Sequence, residues 1–276
     1  MNQFSIRHSL RQLGRQIAYR WLMRSEREVF ASRISWFEER RGRGIRVTWD
    51  PAQELFRVMD PSGYIYVARK PRVLLQQIGI AERRASLLRA YLGSFDILRP
   101  RDLVIDCGAN IGEFSIACAL AGATVHSFEP DPKEFKALCA NALDQITPIP
   151  KGLWHKSGKL EFFDNNDSGD SGLISIGRSA AVLEVQTVSL DEYMAQFGES
   201  KRVRLIKLEA EGAEPEVLDG AKEVLSRTDY VAADMGPERG VFQENTMTEV
   251  TARLSERGFR LIHFDHVRIC GLFSAF

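Results

Sequence analysis

A glycine-containing turn at residues 104–112 (VIDCGANIG) is the first place in this chain where the residue types predict chemistry. The turn follows an apolar strand pattern, and Gly108 and Gly112 allow its backbone to bend sharply and approach a ligand closely. Asn110 stands where another glycine is common, and asparagine tolerates left-handed backbone angles better than other side chains. Ligands of open α/β sheets bind at the carboxyl ends of strands. Asp106, at the end of this strand, is therefore predicted to accept a hydrogen bond from the ammonium group of a nucleotide-like cofactor.

A second candidate binding residue is the glutamate in the run FEPD at residues 128–131. Glu129 ends the next strand pattern about 20 residues after the glycine turn, where an acid typically accepts hydrogen bonds from both ribose hydroxyls. Asp131 follows closely and is predicted to reach the adenine edge. The alternative is a solvated acid beside an ordinary glycine turn, but the order and spacing of the two signals favour a cofactor site.

The spacing of the glycines bears on which cofactor is bound. A dinucleotide site has the pattern G-x-G-x-x-G, with the pyrophosphate at a helix N-terminus. This chain instead has Gly108-x-x-x-Gly112 followed by Glu113, whose carboxylate would repel a pyrophosphate. S-adenosylmethionine has no phosphate that an acid could repel, so acidic residues near the turn favour it over a dinucleotide. Two alternatives stay open: an NAD(P)-dependent oxidoreductase, although the full glycine pattern and a Tyr-x-x-x-Lys pair are missing, and a non-catalytic cofactor-binding module.

Charged residues crowd the end of a later strand pattern, in the run LIKLEAEGAE at residues 205–214. A strand end that carries Lys207, Glu209 and Glu211 is too highly charged to be buried unless the charges meet a ligand, each other or water. These three are candidate catalytic residues that line the same cleft. Glu214 is equally explained as an acid that the dipole of a helix N-terminus favours.

From residue 103 onward strand and helix patterns alternate, which predicts a mostly parallel sheet with right-handed crossovers. The predicted fold class is therefore α/β, with a doubly wound, Rossmann-like sheet. The predicted strands are Leu103–Ile105, Val125–Phe128, Ile146–Leu153, Val203–Leu208, Tyr230–Ala233 and Phe259–Phe264. The predicted helices are Ala81–Gly93, Glu113–Ala121, Pro132–Leu143, Glu214–Leu225 and Thr246–Arg257. Between residues 156 and 189 the signal weakens, and the polar run 164–172 is predicted to be a loop that is mobile without acceptor.

The first 84 residues are predicted to form an extension, followed by the cofactor-binding domain over residues 85–276. Up to Gly44 there are ten arginines against four glutamates. An apolar stripe predicts a basic amphipathic helix over residues 5–30, and its members are Leu10, Leu13, Ile17 and Trp21. Strand patterns at 45–49, 55–59 and 64–67 predict a small β-meander. The helix could pack on the catalytic domain, form a homodimer contact or lie on an anionic membrane surface. Packing within a homodimer is favoured, because an amphipathic helix normally buries its apolar face in protein.

The overall composition bears on partners and location. The chain has 37 basic and 37 acidic residues, so its formal net charge is zero and nothing global points to nucleic acid. Four cysteines without a C-x-x-C pair are predicted to be reduced residues of a cytoplasmic protein. No apolar run reaches the ~20 residues that cross a bilayer. Arginines interrupt every apolar stretch near the N-terminus, so no signal peptide is predicted.

Three motifs in order carry a family resemblance: residues 104–141 with DCGANIG and FEPDP, VSLDEY at 188–193, and IKLEAEGAE at 206–214. Together they resemble the FkbM family of methyltransferases over residues 102–264. The resemblance implies a Rossmann-like class I methyltransferase that uses S-adenosylmethionine to methylate oxygen, often on sugars or polyketide-type products. It also implies Asp106, Gly108, Asn110 and Glu129 at the cofactor, with the block 207–214 beside the transferred methyl. The family usually has aspartate where this chain has Glu209.

Methylation of a hydroxyl on a small-molecule or glycan acceptor needs a base that takes the proton. The candidate bases are His155, which follows the third strand, and Glu209, Glu211, His263 and His266. Lys207 either orients a carboxylate or the acceptor, or it merely neutralises the neighbouring acids. No H-x-x-x-H or similar ligand spacing occurs, so no required metal is predicted.

Overall fold

The computed structural model describes residues 19–164, 171–175, 177 and 181–275, which belong to two compact units, Met1–Ile80 and Ala81–Phe276. In the first unit, residues 19–24 are helical, and a further helix precedes a three-stranded antiparallel sheet. The elements are α1 (Arg27–Arg40), β1 (Arg46–Asp50), β2 (Leu55–Asp60), β3 (Gly63–Val67), α2 (Lys70–Leu75) and a 3₁₀ turn, Gln76–Ile78. Phe30 of α1 is buried, and its ring lies 5.2 Å from that of Phe56 in the sheet. The strands confirm the predicted β-meander.

A seven-stranded sheet forms the centre of the second unit. Its strands are β4 (Leu103–Cys107), β5 (Thr124–Phe128), β6 (Ile146–Ile149), β10 (Val203–Leu208), β11 (Thr228–Asp234), β14 (Arg260–Asp265) and β15 (Cys270–Ser274). They lie in the order β14-β15-β11-β10-β4-β5-β6, and all neighbours are parallel except β15 with β11 and β14. The strand order reverses between β4 and β10. This topology confirms the predicted doubly wound, mostly parallel α/β sheet and places a switch point at the end of β4.

Helices connect these strands, and a small sheet adjoins them. The helices are α3 (Ile80–Leu92), α4 (Glu113–Leu120), α5 (Pro132–Asn141), α6 (Leu190–Ala195), α7 (Glu214–Asp219), α8 (Lys222–Leu225) and α9 (Met247–Ser255). The small sheet has the order β7-β9-β8, formed by β7 (Gly152–Leu153), β8 (Gly158–Asp164) and β9 (Ala181–Val188). A two-stranded ribbon joins β12 (Pro237–Arg239) to β13 (Glu244–Asn245). The central strands β4 and β10 are buried almost throughout, as expected of parallel strands with both faces covered.

The chain between residues 146 and 188 departs from the sequence prediction. The single strand predicted over Ile146–Leu153 is wrong, because β6 ends at Ile149 and β7 joins the small sheet instead. The sequence does not predict β8 or β9, since most residues of these strands are exposed or half-buried and leave little apolar alternation. It also misses β15, whose five residues include Gly271.

The helix predicted over Glu214–Leu225 is also wrong in one respect, because it breaks at Gly220. A Cβ at Gly220 would lie 2.2 Å from the carbonyl oxygen of Trp154, so no side chain fits at this position. Asp191 then starts α8 by accepting hydrogen bonds from the backbone N–H groups of Glu223 and Val224. The break therefore falls at a glycine, a residue that is unfavourable inside a helix.

Some predictions fall outside the described residues. They concern Leu10, Leu13 and Ile17 of the apolar stripe and positions 165–170 of the polar loop. The part of the predicted N-terminal helix that is described does not run unbroken to Phe30, because Glu26 is extended between residues 19–24 and α1. Among the described helices, none combines the length and hydropathy needed to cross a membrane.

Candidate active site

The glycine turn after β4 lies where its backbone must approach other chain segments closely. Gly108 has a φ of 69°, and a Cβ there would lie 1.8 Å from the carbonyl oxygen of Glu209. The backbone N–H groups of Gly108 and Ala109 donate to the carbonyl oxygen of Phe128 at 3.0 and 2.9 Å. Asn110 adopts the left-handed conformation with a φ of 51°. The turn is thus held between the ends of β5 and β10.

Glu129, at the end of β5, faces this turn. Its Oε2 accepts a hydrogen bond from the backbone N–H of Asn110, and its Oε1 accepts one from that of Asp131, both at 2.8 Å. The side chain is buried, and this burial raises the pKa of the Glu129 carboxyl to about 8, with a contribution from the Asp131 carboxylate. Each oxygen can still accept another hydrogen bond. The arrangement can therefore hold a group with two neighbouring hydroxyls.

Asp131 and Gly112 support the two helices that follow the strands. Asp131 is buried and caps α5, since its Oδ1 accepts a hydrogen bond from the backbone N–H of Lys133 at 2.9 Å. Gly112 has a φ of 90° and precedes α4, and a Cβ there would lie 2.8 Å from Leu138 Cδ1 of α5. This capping contact of Asp131 is structural, and its reach toward an adenine edge stays a prediction.

Asp106 and Lys207 form a fully buried ion pair beneath the turn. They stand opposite each other in the parallel register of β4 and β10, and Lys207 Nζ lies 3.1 Å from Asp106 Oδ1. The other carboxylate oxygen accepts a hydrogen bond from Ser115 Oγ at 2.5 Å, and Ser115 Oγ lies 2.7 Å from Ser127 Oγ. Asp106 thus meets an ammonium group, as its position predicts, but the ammonium belongs to Lys207.

Lys207 joins the turn to the acidic segment after β10. Its Nζ donates to the carbonyl oxygens of Gly108 and Cys107 at 2.8 and 3.2 Å and lies 2.8 Å from Glu209 Oε2. Burial alone would lower the pKa of Lys207, but the carboxylates of Asp106 and Glu209 outweigh it, so its pKa is raised. The Lys207 side chain therefore stays charged at neutral pH. It holds the glycine turn and Glu209 together and does not act as a proton donor.

Glu209 also pairs with Arg268, which no motif in the sequence indicates. Its Oε1 accepts a hydrogen bond from Arg268 Nη2 at 3.0 Å, and the same nitrogen lies 3.5 Å from Asp234 Oδ2. Arg268 lies in the turn between β14 and β15, while Asp234 ends β11. The guanidinium carbon of Arg268 lies 5.6 Å from the ring centroid of Tyr91 in α3, and Lys207 Nζ lies 5.7 Å from it.

The segment between β10 and α7 is shaped by backbone contacts. Glu211 has a φ of 51°, and its Cβ lies 2.9 Å from where a Cβ on Gly172 would be. Glu214 is buried, and its Oε1 accepts hydrogen bonds from the backbone N–H groups of Ala210 and Gly212 at 2.8 and 3.3 Å. Its Oε2 accepts one from Thr246 Oγ1 at 3.0 Å. Glu214 thus orders the segment that carries Glu209 and Glu211.

Comparison with known proteins assigns the family. Residues 106–261, more than half of the chain, match the Methyltransferase FkbM domain. The chain belongs to the FkbM methyltransferase family. The match begins at Asp106 and takes in the glycine turn, Glu129 and the segment after β10.

Three curated FkbM-type relatives are similar to parts of the chain. Hexuronic acid methyltransferase AglP of Haloferax volcanii is 29% identical over 137 residues, which cover 49% of this chain and 56% of AglP. The 31-O-demethyl-FK506 methyltransferase FkbM of Streptomyces tacrolimicus is 53% identical over 57 residues, 20% of this chain and 22% of the relative. The 2-O-methyltransferase NoeI of Sinorhizobium fredii is 25% identical over 153 residues, 48% of this chain and 63% of NoeI. The chain thus matches less than two thirds of each relative's length.

Of the predicted catalytic residues, the structure brings Lys207 and Glu209 together, whereas His155 lies elsewhere on the FkbM domain. His155 is exposed, and its Cα would lie 2.9 Å from a Cβ on Gly220, at the end of α7 opposite Glu214. The ring of His263 packs against Gly93, where a Cβ would lie 2.8 Å from Nδ1. Across the described ranges, no group of three or more His, Cys, Asp or Glu side chains could hold a metal ion.

Proposed function

We propose that this protein is an S-adenosylmethionine-dependent methyltransferase that acts on a hydroxyl of a sugar or another small, secondary-metabolite-type acceptor. The observation that carries the proposal is Glu129, whose two oxygens are oriented by backbone N–H groups beside the glycine turn. A carboxylate with one free acceptor position on each oxygen suits the two hydroxyls of a ribose. Gly108 leaves the turn without a side chain between β4 and β10.

The start of α4 bears on the dinucleotide alternative. The carboxylate of Glu113 is nearly buried in the first turn of this helix, where Arg83 Nε lies 3.2 Å from its Oε1. A dinucleotide would place its pyrophosphate at such a helix N-terminus. An acid already held there favours a cofactor without phosphates, so S-adenosylmethionine is preferred over NAD(P).

The proposed cofactor carries its methyl group on a sulfonium, and the thioether S-adenosylhomocysteine is a good leaving group. The protein's task is therefore mainly to align the acceptor with the methyl group. Lys207 contributes by holding the carbonyl oxygen of Gly108 and the carboxylate of Glu209 on one ammonium group. This fixes the glycine turn against the segment that carries Glu209 and Glu211. We therefore assign Lys207 a positioning role.

Proton removal from the acceptor needs a general base. Glu209 lies between Lys207 and Arg268, and each of these cations lies within ion-pair distance of one of its oxygens. We therefore assign Glu209 to charge and positioning, and keep Glu211 and His155 as the alternative bases. The variant His155→Ala separates them, because it should abolish turnover of S-adenosylmethionine if His155 is the base and leave turnover nearly unchanged if Glu211 is the base.

The names of the relatives support the acceptor class. AglP is named for a hexuronic acid, NoeI for 2-O-methylation, and the Streptomyces enzyme for a 31-O position of FK506. Two of these names specify methylation of oxygen and the third names a sugar acid, which supports an oxygen acceptor on a sugar or another small molecule. Since each match is partial, the acceptor of the present protein is part of the proposal.

The partner and location assignments are also proposals. Trp21, Val29, Trp36 and Phe37 are exposed around α1, and the guanidinium of Arg33 lies 3.3 Å from the Trp21 ring centroid. We propose that residues 1–84 act as an extension whose apolar face packs within a homodimer, in a cytoplasmic protein with four free cysteines. Light scattering that gives a monomer, together with flotation of the protein on anionic liposomes, would favour membrane attachment instead.

Two titrations and one turnover assay test the proposed function. The protein should bind S-adenosylmethionine in calorimetry and should not bind NADH. It should convert S-adenosylmethionine to S-adenosylhomocysteine when hydroxylated sugars or secondary metabolites are supplied. Binding of NADH with no response to S-adenosylmethionine would replace the methyltransferase by an oxidoreductase, and binding without turnover on any acceptor would indicate a cofactor-binding module.

A further inference from the structure

A mixed cluster of charges lies at the ends of β10 and β11 and in the turn before β15, beside the glycine turn. Two cations there face three carboxylates; the cations are Lys207 and Arg268, and the carboxylates are Asp106, Glu209 and Asp234. If all five are ionised, the cluster carries one excess negative charge. Such a cluster is complementary to a ligand that carries both signs of charge with a positive excess.

Arg268 keeps unused hydrogen-bond donors at this cluster. Its Nη2 serves both carboxylates, at 3.0 Å from Glu209 Oε1 and 3.5 Å from Asp234 Oδ2. No other guanidinium nitrogen donates to a side chain or carbonyl in the described part of the chain, and the Arg268 side chain is 30% exposed. A guanidinium has five N–H donors and matches carboxylate geometry in a bidentate way. Arg268 can therefore bind a further carboxylate without giving up Glu209.

The hydroxyl of Tyr91 is a second, independent sign of an incomplete polar site. Tyr91 is fully buried, and within the ranges that the structure describes its Oη has no hydrogen-bond partner. Its ring lies 5.6 Å from the guanidinium carbon of Arg268 and 5.7 Å from Lys207 Nζ. Buried polar groups are nearly always hydrogen-bonded, so a buried hydroxyl without a partner, on a ring whose face two cations approach, points to a ligand atom or water at this site.

The position of the cluster relative to Glu129 identifies the part of the ligand that reaches it. β5, β4 and β10 are consecutive strands, so the strand ends at Glu129 and Glu209 are about 10 Å apart, with the glycine turn between them. In the proposed function Glu129 holds the ribose. The amino acid end of S-adenosylmethionine, joined to the ribose through sulfur, would then extend across the turn toward Glu209. Asp106 is not available for the ammonium group of the cofactor, because its carboxylate is fully buried and already contacts Lys207 and Ser115.

We propose that Arg268 and Glu209 bind the amino acid end of the cofactor. Arg268 donates to the α-carboxylate through its unused guanidinium nitrogens, and Glu209 accepts a hydrogen bond from the α-ammonium group. The aromatic ring of Tyr91 supports Arg268 in that position. This inference rests on the proposed function and assigns a cofactor-binding role to a residue in the last hairpin of the sheet.

Two ligands that differ only in the amino acid end test the inference by calorimetry. S-adenosylhomocysteine carries that end, whereas 5′-methylthioadenosine has the same adenosine and sulfur without it. Arg268→Ala is expected to weaken S-adenosylhomocysteine at least tenfold, since charge-assisted bonds are lost, while the affinity for 5′-methylthioadenosine changes less than about twofold. Arg268→Lys should recover part of the loss. Glu129→Ala should weaken both ligands.

Arg253→Ala is the matched control, because the Arg253 side chain is 29% exposed, nearly as much as that of Arg268. Its Nε lies 3.1 Å from Asp219 Oδ1, in an ion pair that is not part of this cluster. It should leave both affinities unchanged. If Arg268→Ala lowers the affinity for both ligands equally, or for neither, the assignment of Arg268 is overturned. Binding of S-adenosylhomocysteine by the wild type would still support the proposed cofactor. A wild type that binds neither ligand would overturn the proposed function, and the inference with it.

Discussion

The two sides of the proposed cofactor site hold their carboxylates in opposite ways. Glu129 is oriented by the backbone N–H groups of Asn110 and Asp131, and in the described part of the chain no lysine or arginine pairs with it. Glu209 instead lies between the side chains of Lys207 and Arg268. Neutral donors leave Glu129 suited to uncharged hydroxyls, whereas the ion-paired cluster is suited to a charged group. One sheet edge thus provides two different environments for two ends of one ligand.

Lys207→Met removes the central cation of the charged side, and among these variants we expect it to have the largest effect on stability. It leaves Asp106 fully buried without its cation, and removing one partner of a buried ion pair typically costs about 3–5 kcal/mol. Urea denaturation measures the loss. Asp106→Asn in the same protein should recover part of it, because the uncompensated charge is then gone. A loss below about 1 kcal/mol would show that the pair does not stabilise the folded state.

Glu129→Gln sharpens the comparison through pH. The pKa of Glu129 is raised from 4.5 to about 8, so the folded protein binds this proton more tightly than the unfolded chain between those values. The stability that this group contributes is complete below pH 4.5 and is lost as the pH rises toward 8, by up to about 1.4 kcal/mol per pH unit.

The glutamine variant does not titrate at this position, so its unfolding free energy should fall less steeply across that window. Part of the slope should remain, because the pKa of Glu214 is raised to about 7 by burial. Urea denaturation at several pH values from 5 to 8 checks this. Parallel pH profiles for the wild type and the variant would mean that Glu129 is not protonated more readily in the folded state.

Much of the neutral side of the site can be predicted from sequence, whereas much of the charged side cannot. The glycine turn and Glu129 lie close in sequence at the ends of successive strands, so their spacing alone indicates their meeting. Arg268 reaches Glu209 from a turn between the last two strands, and the Tyr91 ring approaches Arg268 and Lys207 from a helix that precedes the sheet. Neither has a local spacing signal, and the pairing of β15 that brings Arg268 to the site depends on tertiary structure.

The role of Asp106 shows the same limit. Its place at a strand end predicts contact with an ammonium group, but strand position does not tell a ligand from a lysine on the next strand. The register that sets Lys207 beside it decides the partner. One signal is the alternation in LIKLE, which puts Lys207 and Glu209 on the same side of the chain where β10 ends.

Tyr91→Phe should have the smallest effect on stability. It removes a buried hydroxyl that has no hydrogen-bond partner among the described residues, so the melting temperature of the free protein should stay the same or rise. Differential scanning calorimetry of the free protein checks this, with Tyr193→Phe as the comparison, because Tyr193 Oη lies 3.1 Å from His126 Nδ1 and its loss should destabilise. A lower melting temperature in Tyr91→Phe than in Tyr193→Phe would contradict the account of Tyr91.

Calorimetric titration of S-adenosylhomocysteine into the wild type and Glu129→Ala tests the central claim most directly. Glu129 makes hydrogen bonds with two hydroxyls in the proposed complex, each worth about 0.5–1.5 kcal/mol for a neutral carboxyl and about 1.5–3 kcal/mol for an ionised one. The wild type should bind one equivalent, and the variant should bind at least tenfold more weakly with its cooperative unfolding retained. Equal affinities of the two proteins for S-adenosylhomocysteine would contradict the placement of the cofactor at the end of β5.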